Sequence, residues 1–216
     1  QEKEWVKAIE VARELPDTAG HLWQKEIANF FCELAAVEMA HSRNDSARRY
    51  LEQAIATNRK CVRASILQGD LEASEGNMEG ALSIWKRVEQ QNPVYLALVA
   101  ARIMDGYRKL GRVEQGIQLL RAYLTQHPSL DLLDAVFQWE MEKEGPRAAY
   151  QLVRDELGRN PTLLGLDKLL EAALLTVSPE QRKDIELVKG LVHSHTRRVA
   201  RYRCDECGFK SRQFYW

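Results

Sequence analysis

The chain has 216 residues, 45% of them hydrophobic and 29% charged, and its Lys plus Arg and Asp plus Glu balance at 31 each. That is room for one large domain or two modest ones, with an ordinary apolar share for a core. The even charge argues against a global field that gathers polyanions, and no apolar run is long enough to span a bilayer.

No signal peptide opens the chain, yet Gln1 is not a start residue. The sequence begins directly inside an amphipathic pattern, so a preceding piece, including any membrane anchor, is expected upstream. Four cysteines in a chain of this size do not make a disulfide framework. Cys32 and Cys61 fall inside helical patterns, where buried free thiols are common. Their pattern, with Cys204 and Cys207 at metal spacing, points to a reducing compartment, most simply the cytoplasm.

Helical apolar spacing runs through 3–15, 22–41, 45–57, 61–75, 79–91, 94–110, 113–126, 130–143, 146–158, 162–176 and 179–198. Turn residues separate these stretches: Pro16-Asp17, Asn44-Asp45, Gly76-Asn77, Asn92-Pro93, Gly111, His127-Pro128, Gly145-Pro146, Asn160-Pro161 and Ser178-Pro179. The punctuation is periodic. Pro93, Pro128 and Pro161 are 35 and 33 apart, Gly76 and Gly111 are 35 apart, and Ala47 and Ala81 are 34 apart. This is the period of the tetratricopeptide helix pair.

The clearest repeat spans 62–95. Gly69 sits on its first helix where a neighbour comes close, Gly76-Asn77 turns the chain, Ala81 and Trp85 lie on the second helix, and Pro93 ends the unit. Repeats at 28–61, 97–129 and 130–162 are weaker, with Gly116 where Ala is usual and Arg59 in the proline slot of the first. Residues 3–15 read as the second helix of a further pair. The expected fold is all-α, a tetratricopeptide-repeat superhelix over 1–177. A basic connecting helix over 178–201 and a small C-terminal knuckle over 202–216 follow. Such a solenoid buries each pair against its neighbours, making Leu82, Ile84 and Trp85 core residues. Its concave face is lined by first helices and usually holds a peptide or helix of another protein. Asn29, Arg63, Asp70, Asp105 and Arg108 are the candidate groove residues, with scattered solvated charges as the plainer reading. There is no clear Lys/Asn clamp for a terminal carboxylate.

From Lys189 to Arg203 the chain carries five basic residues, Lys189, Arg197, Arg198, Arg201 and Arg203, with no acid. These cations either complement a helix dipole or dock on an acidic protein, phosphate head groups or RNA. Tyr202-Arg-Cys204-Asp-Glu-Cys207-Gly208-Phe209 then reads as half of a metal knuckle. A Cys-x-x-Cys turn lets two thiolates reach one ion, and tetrahedral zinc or iron needs four donors. Gly208 suits the left-handed turn, while Tyr202 and Phe209 can wrap the site in apolar surface. A redox pair and unbound thiols are the alternatives. The missing donors are either His193 and His195, which would require the helix to fray, or a second cysteine pair beyond Trp216.

Tyr202, Cys204, Cys207, Gly208, Phe209, Tyr215 and Trp216, following helix pairs and a basic helix, resemble the lipopolysaccharide assembly protein B family. The Phe-Phe-Cys-Glu-Leu-Ala stretch from Phe30 to Ala35 is also similar. The resemblance implies an N-terminal anchor in the bacterial inner membrane, a tetratricopeptide array on its cytoplasmic face, and a rubredoxin-like knuckle holding one iron or zinc ion. This chain would supply Cys204 and Cys207 to that ion, which the fragment alone need not retain. The implied role is a non-catalytic adaptor that restrains lipopolysaccharide synthesis. It would present the deacetylase of the committed lipid A step to an FtsH-type membrane AAA protease. The alternatives are a generic tetratricopeptide interaction module with a zinc knuckle, or nucleic-acid binding through Arg197, Arg198 and Arg201; no nucleic acid is the expectation. An enzyme is disfavoured: the sequence offers no Gly-rich loop after a strand, no acidic metal pair on a loop and no α/β domain.

Overall fold

The computed structural model describes residues 4–15, 22–199, 202–204, 208–211 and 214. The helices are α1 (Trp5–Glu14), α2 (Leu22–Ala40), α3 (Asn44–Thr57), α4 (Val62–Ser74), α5 (Met78–Gln91) and, after a short 3-10 turn at Pro93–Tyr95, α6 (Leu96–Lys109). They continue as α7 (Val113–Gln126), α8 (Leu130–Lys143), α9 (Pro146–Arg159), α10 (Leu163–Leu174) and α11 (Pro179–Val199). Each expected helix is present, with its ends shifted by two residues or fewer. Two short strands follow, β1 (Tyr202–Arg203) and β2 (Lys210–Ser211). The expected turn at Pro16-Asp17 lies outside the described residues. Among the described residues no helix is long and apolar enough to cross a membrane.

The chain forms two compact units, Gln1–Leu119 and Leu120–Trp216. In the first, α1 packs on α2, α2 on α3, α4 on α5, and α5 on α6. Small residues mark the close approaches: Ala28, Cys32, Ala35, Ala47, Ala54, Ala64 and Ala81 are buried. Gly69 faces the Trp85 indole so closely that a Cβ there would overlap it. Trp85 is itself buried, and its Nε1 donates to the Ile66 carbonyl at 3.3 Å. Leu82 and Ile84 are buried beside it, as their helical spacing implies. Gly116 occupies the corresponding small-residue position of the next pair, against Met104 and Tyr107.

The turns inside these pairs repeat a single geometry. Gly76 and Gly111 have φ of 84° and 70°, and Ser42, at the matching place in the preceding repeat, has φ of 58°. After each, a six-to-one bond closes the helix end. Arg43 N–H donates to Glu38 O (2.9 Å), Asn77 N–H to Glu72 O (2.9 Å) and Arg112 N–H to Tyr107 O (2.8 Å). The Asn77 side chain then caps α5 by accepting from Gly80 N–H at 3.1 Å.

The second unit stacks α8 on α9, α9 on α10 and α10 on α11. Leu132, Leu133, Val136, Phe137, Ala149, Val153 and Ala172 form its apolar interior. Ser129 caps α8 and Thr162 caps α10, each accepting a backbone N–H. Asp167 of α10 fixes α11 by sharing hydrogen bonds with His193 Nδ1 (2.8 Å) and the Thr196 hydroxyl (3.1 Å). Two carboxylates, Glu140 and Glu156, are buried in this unit.

Candidate functional site

The sequence-derived groove residues of the first unit all lie on α2, α4 and α6, the first helices of successive pairs. Asn29 is half-buried on α2. One turn on, at the i+4 position that shares its face, Glu33 accepts from Arg63 of α4 at 3.1 Å. Further along α4, Asp70 is gripped by Arg102 of α6 through Nε (2.7 Å) and a terminal nitrogen (3.1 Å). Arg102 also donates to the Leu98 carbonyl at 2.8 Å. Asp105 and Arg108 pair with each other at 2.5 Å and stay exposed.

The result is a charged stripe across three first helices, tied by ion pairs that reach from one repeat to the next. Arg63 and Asp70 are therefore engaged within the fold, and Asp105 and Arg108 are the charges it presents to solvent. The bidentate Arg102–Asp70 fork fixes both planes. Glu33 and Arg102 are the members of this stripe that sequence reasoning did not name. Their signal was an opposite charge about one repeat away from Arg63 and Asp70.

A second set of ion pairs runs near the turns. Arg48 of α3 reaches Glu72 and Glu75 at the end of α4, and Arg112 reaches Glu79. Arg48, with help from Asn77, holds the Glu72 carboxyl below its ordinary range.

Beneath α2 and α4 lie two buried thiols, with Cys32 Sγ 3.8 Å from Cys61 Sγ. Cys61 stands just before the first turn of α4. Hydrogen bonding with the Cys32 thiol, then with the Ala64 and Arg63 N–H groups, lowers its pKa to about 7. Cys32, hydrogen-bonded to Cys61 and buried, is pushed up.

At the C-terminal end, β1 and β2 pair antiparallel, Tyr202 opposite Ser211 and Arg203 opposite Lys210. The loop between them starts at Cys204, whose N–H donates to Phe209 O at 2.8 Å. Gly208 N–H donates back to Cys204 O at 2.9 Å, and Gly208 takes the left-handed φ of 72°. Only glycine adopts that conformation without strain. Tyr202 anchors this hairpin to α8 through a 2.9 Å bond from its hydroxyl to Asp131, and its ring meets Phe214 edge-on at 5.8 Å. Burial, then the Asp131 bond, raises the Tyr202 phenol to about 12.

Cys204 is exposed at the hairpin mouth. The backbone bond between Cys204 and Gly208 and the left-handed Gly208 suit a Cys-x-x-Cys ligand pair. Cys207, Tyr215 and Trp216 lie outside the described residues, as do Arg201 and the side chains of Arg197 and Arg198. His193 and His195 remain in α11, one bonded to Asp167 and the other to the Leu191 carbonyl. Among the described residues no three His, Cys, Asp or Glu side chains gather around a common point.

The model of the tetratricopeptide repeat family matches residues 32–94, the stretch that holds α3, α4 and α5. Along 99% of its length the chain is 27% identical to lipopolysaccharide assembly protein B of Escherichia coli K12, covering 55% of that relative. The protein of the same name from Haemophilus influenzae is 25% identical over 99% of this chain and 54% of its own length. The resemblance read from the repeats and the C-terminal motif is to these proteins. The chain spans about half the length of the curated relatives it matches. The fold is a tetratricopeptide-type solenoid of helices. Among solved structures, a chain of the APC/C hetero-tetramer Cut9-Hcn1 overlaps 89% of this chain and 40% of its own, with a TM-score of 0.43 at 15% identity. That overlap is too slight to bear on function.

Proposed function

We infer that the chain is the protein-binding part of a non-catalytic adaptor in lipopolysaccharide assembly. The observation that carries this reading is the charged stripe on α2, α4 and α6. There the fold immobilises a row of polar side chains across consecutive first helices, and the Asp105–Arg108 pair is exposed at its surface. The matches to lipopolysaccharide assembly protein B support the pathway. At the finer level, the partners are the deacetylase of the committed lipid A step and an FtsH-type membrane protease. The adaptor brings the first to the second at the cytoplasmic face of the inner membrane.

The test is deacetylase turnover in cells carrying the full-length protein with Asp105→Ala and Arg108→Ala. The expected result is a severalfold longer deacetylase lifetime with the adaptor still folded. An unchanged lifetime, with these charges gone and the stripe further reversed at Asp70 and Arg102 together, sinks the assignment of the groove.

Cys204 and Cys207 serve a structural metal, iron or zinc, in the same reading. When bound, the ion would fasten the hairpin through thiolates, and Tyr202 would orient that hairpin on α8. Elemental analysis of the full-length protein and its Cys204→Ser variant checks this, with one equivalent of metal expected in the first and a loss in the second.

A further inference from the structure

We propose that the cleft between the ends of α3 and α5 binds a small organic phosphate monoester, with Arg59, Lys60 and Arg87 taking the phosphate and Ser65 and Gln91 taking a hydroxyl-bearing body. The site lies away from the charged stripe and does not depend on the adaptor reading.

The cleft measures about 260 Å³ and is lined by Ile55, Arg59, Lys60, Ser65, Arg87 and Gln91, among others. No acidic residue lines it. Most other arginines of this unit come with carboxylates: Arg43 with Glu38, Arg48 with Glu72, Arg63 with Glu33, Arg102 with Asp70, Arg108 with Asp105 and Arg112 with Glu79, whereas Arg49 bonds Ser46 and the Asp45 carbonyl. Arg59, Lys60 and Arg87 have no such partner among the described residues. Three cations brought together without a counter-charge repel one another, and a dianion relieves that repulsion.

The buried polar groups point the same way. Ser65 is 1% exposed, and its hydroxyl has no hydrogen-bond partner. A buried hydroxyl left unpaired is costly, and Ser65 is among the residues that line the cleft, where a ligand hydroxyl would pair with it. Gln91 adds a second unpaired atom, its buried Oε1. Its Nε2 is spent on the Arg59 carbonyl at 2.9 Å, which fastens the α3–α4 loop to the end of α5. The free oxygen is an acceptor and needs a donor, which a hydroxyl on the organic body supplies while the phosphate oxygens face the cations.

The repeat itself shows where the sequence departs from a purely structural need. Arg59 stands one repeat ahead of Pro93, in the slot that three later repeats fill with proline. Ser65 stands one repeat ahead of Val99, which is fully buried apolar core. Size limits the ligand: the volume is below the roughly 300–1,000 Å³ of pockets for drug-sized molecules. A guanidinium pair favours the flat, bidentate presentation of phosphate oxygens.

Calorimetry of the chain at low ionic strength tests this with glucose 6-phosphate, glucose, inorganic phosphate and acetate as probes. Glucose 6-phosphate is expected to bind saturably, glucose and acetate not to bind, and inorganic phosphate to bind about tenfold more weakly. Arg59→Ala with Arg87→Ala should abolish the signal, and Ser65→Ala should weaken it about fivefold. Lys183→Ala, an exposed cation on α11, should leave it unchanged. All of the substituted cations are exposed, and circular dichroism of each variant checks that its helices are kept. Absence of glucose 6-phosphate binding overturns the proposal, as does binding that survives loss of both arginines. Equal affinity for inorganic phosphate, or indifference to Ser65→Ala, overturns the assignment of the organic body. Binding of acetate with the same strength overturns the phosphate.

Discussion

Between α3 and α5 lies a cleft of about 260 Å³, and the ends of α7 and α9 line another of about 350 Å³. Both open between the second helices of consecutive pairs, and Arg87 of one holds the same repeat position as Arg121 of the other. Their charges are handled in opposite ways. Arg87 has no carboxylate partner among the described residues, whereas Arg121 donates to the buried Glu140 through Nε at 2.8 Å and a terminal nitrogen at 2.6 Å. Asp155 also lines the second cleft. The repeat geometry leaves room at this place in each unit. The side chains decide whether the room is neutralised from within or awaits an anion.

Removing the two arginines should therefore have unequal consequences. Glu140 is 1% exposed, and one of its oxygens already lacks a partner. Arg121→Ala would leave a buried carboxylate uncompensated, and a loss of about 3 kcal/mol is expected in denaturant unfolding. Arg87→Ala removes an unpaired cation and should change stability by less than about 0.5 kcal/mol. Equal losses would break the comparison between the clefts.

Much of this architecture was legible in the sequence, because helical period and turn residues are local signals. The order of the helices, the close approach at Gly69 and the burial of Trp85 all follow from spacing alone. Arg59 was visible too, as the residue that breaks the proline pattern. Its partners in the cleft were not visible. Arg87 and Ser65 reach it only through the fold, and one reads as a solvated charge and the other as an ordinary helical serine. The ion pairs of the stripe were hidden for the same reason, since Glu33 and Arg102 lie 30 and 32 residues from their partners. Cys32 and Cys61 were read correctly as buried thiols, but their contact across 29 residues was not foreseen. At the other end of the chain, the left-handed turn expected at Gly208 is present, with a φ of 72°, because glycine after a turn is also a local signal.

The first unit holds its helices by close apolar approach where the second also buries carboxylates, and Gly69 tests that contrast. Gly69→Ala forces a methyl into the Trp85 ring, within a wall that has little room to move. A destabilisation of about 2 kcal/mol is expected. Gly76→Ala meets no atom within 4 Å and carries only the cost of a left-handed alanine, about 1 kcal/mol. A larger loss at Gly76 than at Gly69 would mean that turn conformation, and not packing, sets the stability of the pair.

The thiol pair gives the first unit a pH dependence on the order of 1 kcal/mol. Cys61 is lowered from 9.0 to about 7 in the folded state. Its contribution is thus full above the unfolded value and disappears as pH falls through about 7. Cys32 is raised, so the folded chain keeps a proton there that the unfolded chain releases, and stability falls again above about 9. Unfolding measured from pH 6 to 10 should show a maximum near pH 9. Thiolate absorbance should rise near pH 7 in the native protein and at higher pH in Cys32→Ala, which removes the sulfur contact to Cys61. A rise near 9 in both would show that the sulfur contact does not acidify Cys61.

A small effect is expected at Ser42, and it is a gain. Ser42 holds the left-handed φ of 58° that Gly76 and Gly111 hold in the next two repeats. Its turn closes with the same six-to-one bond, from Arg43 N–H to Glu38 O at 2.9 Å. A Cβ in this conformation crowds the following carbonyl, whereas glycine has none. Part of that relief is offset by the greater freedom of glycine in the unfolded chain. Ser42→Gly is expected to stabilise the protein by about 0.5 kcal/mol, read as a higher denaturant midpoint with an unchanged slope. The exposed Arg43–Glu38 pair beside it stays in place and holds the Glu38 carboxyl below its usual range, so the substitution isolates the backbone. A loss of stability instead would show that Ser42 makes a contribution through its side chain that outweighs the strain of its conformation.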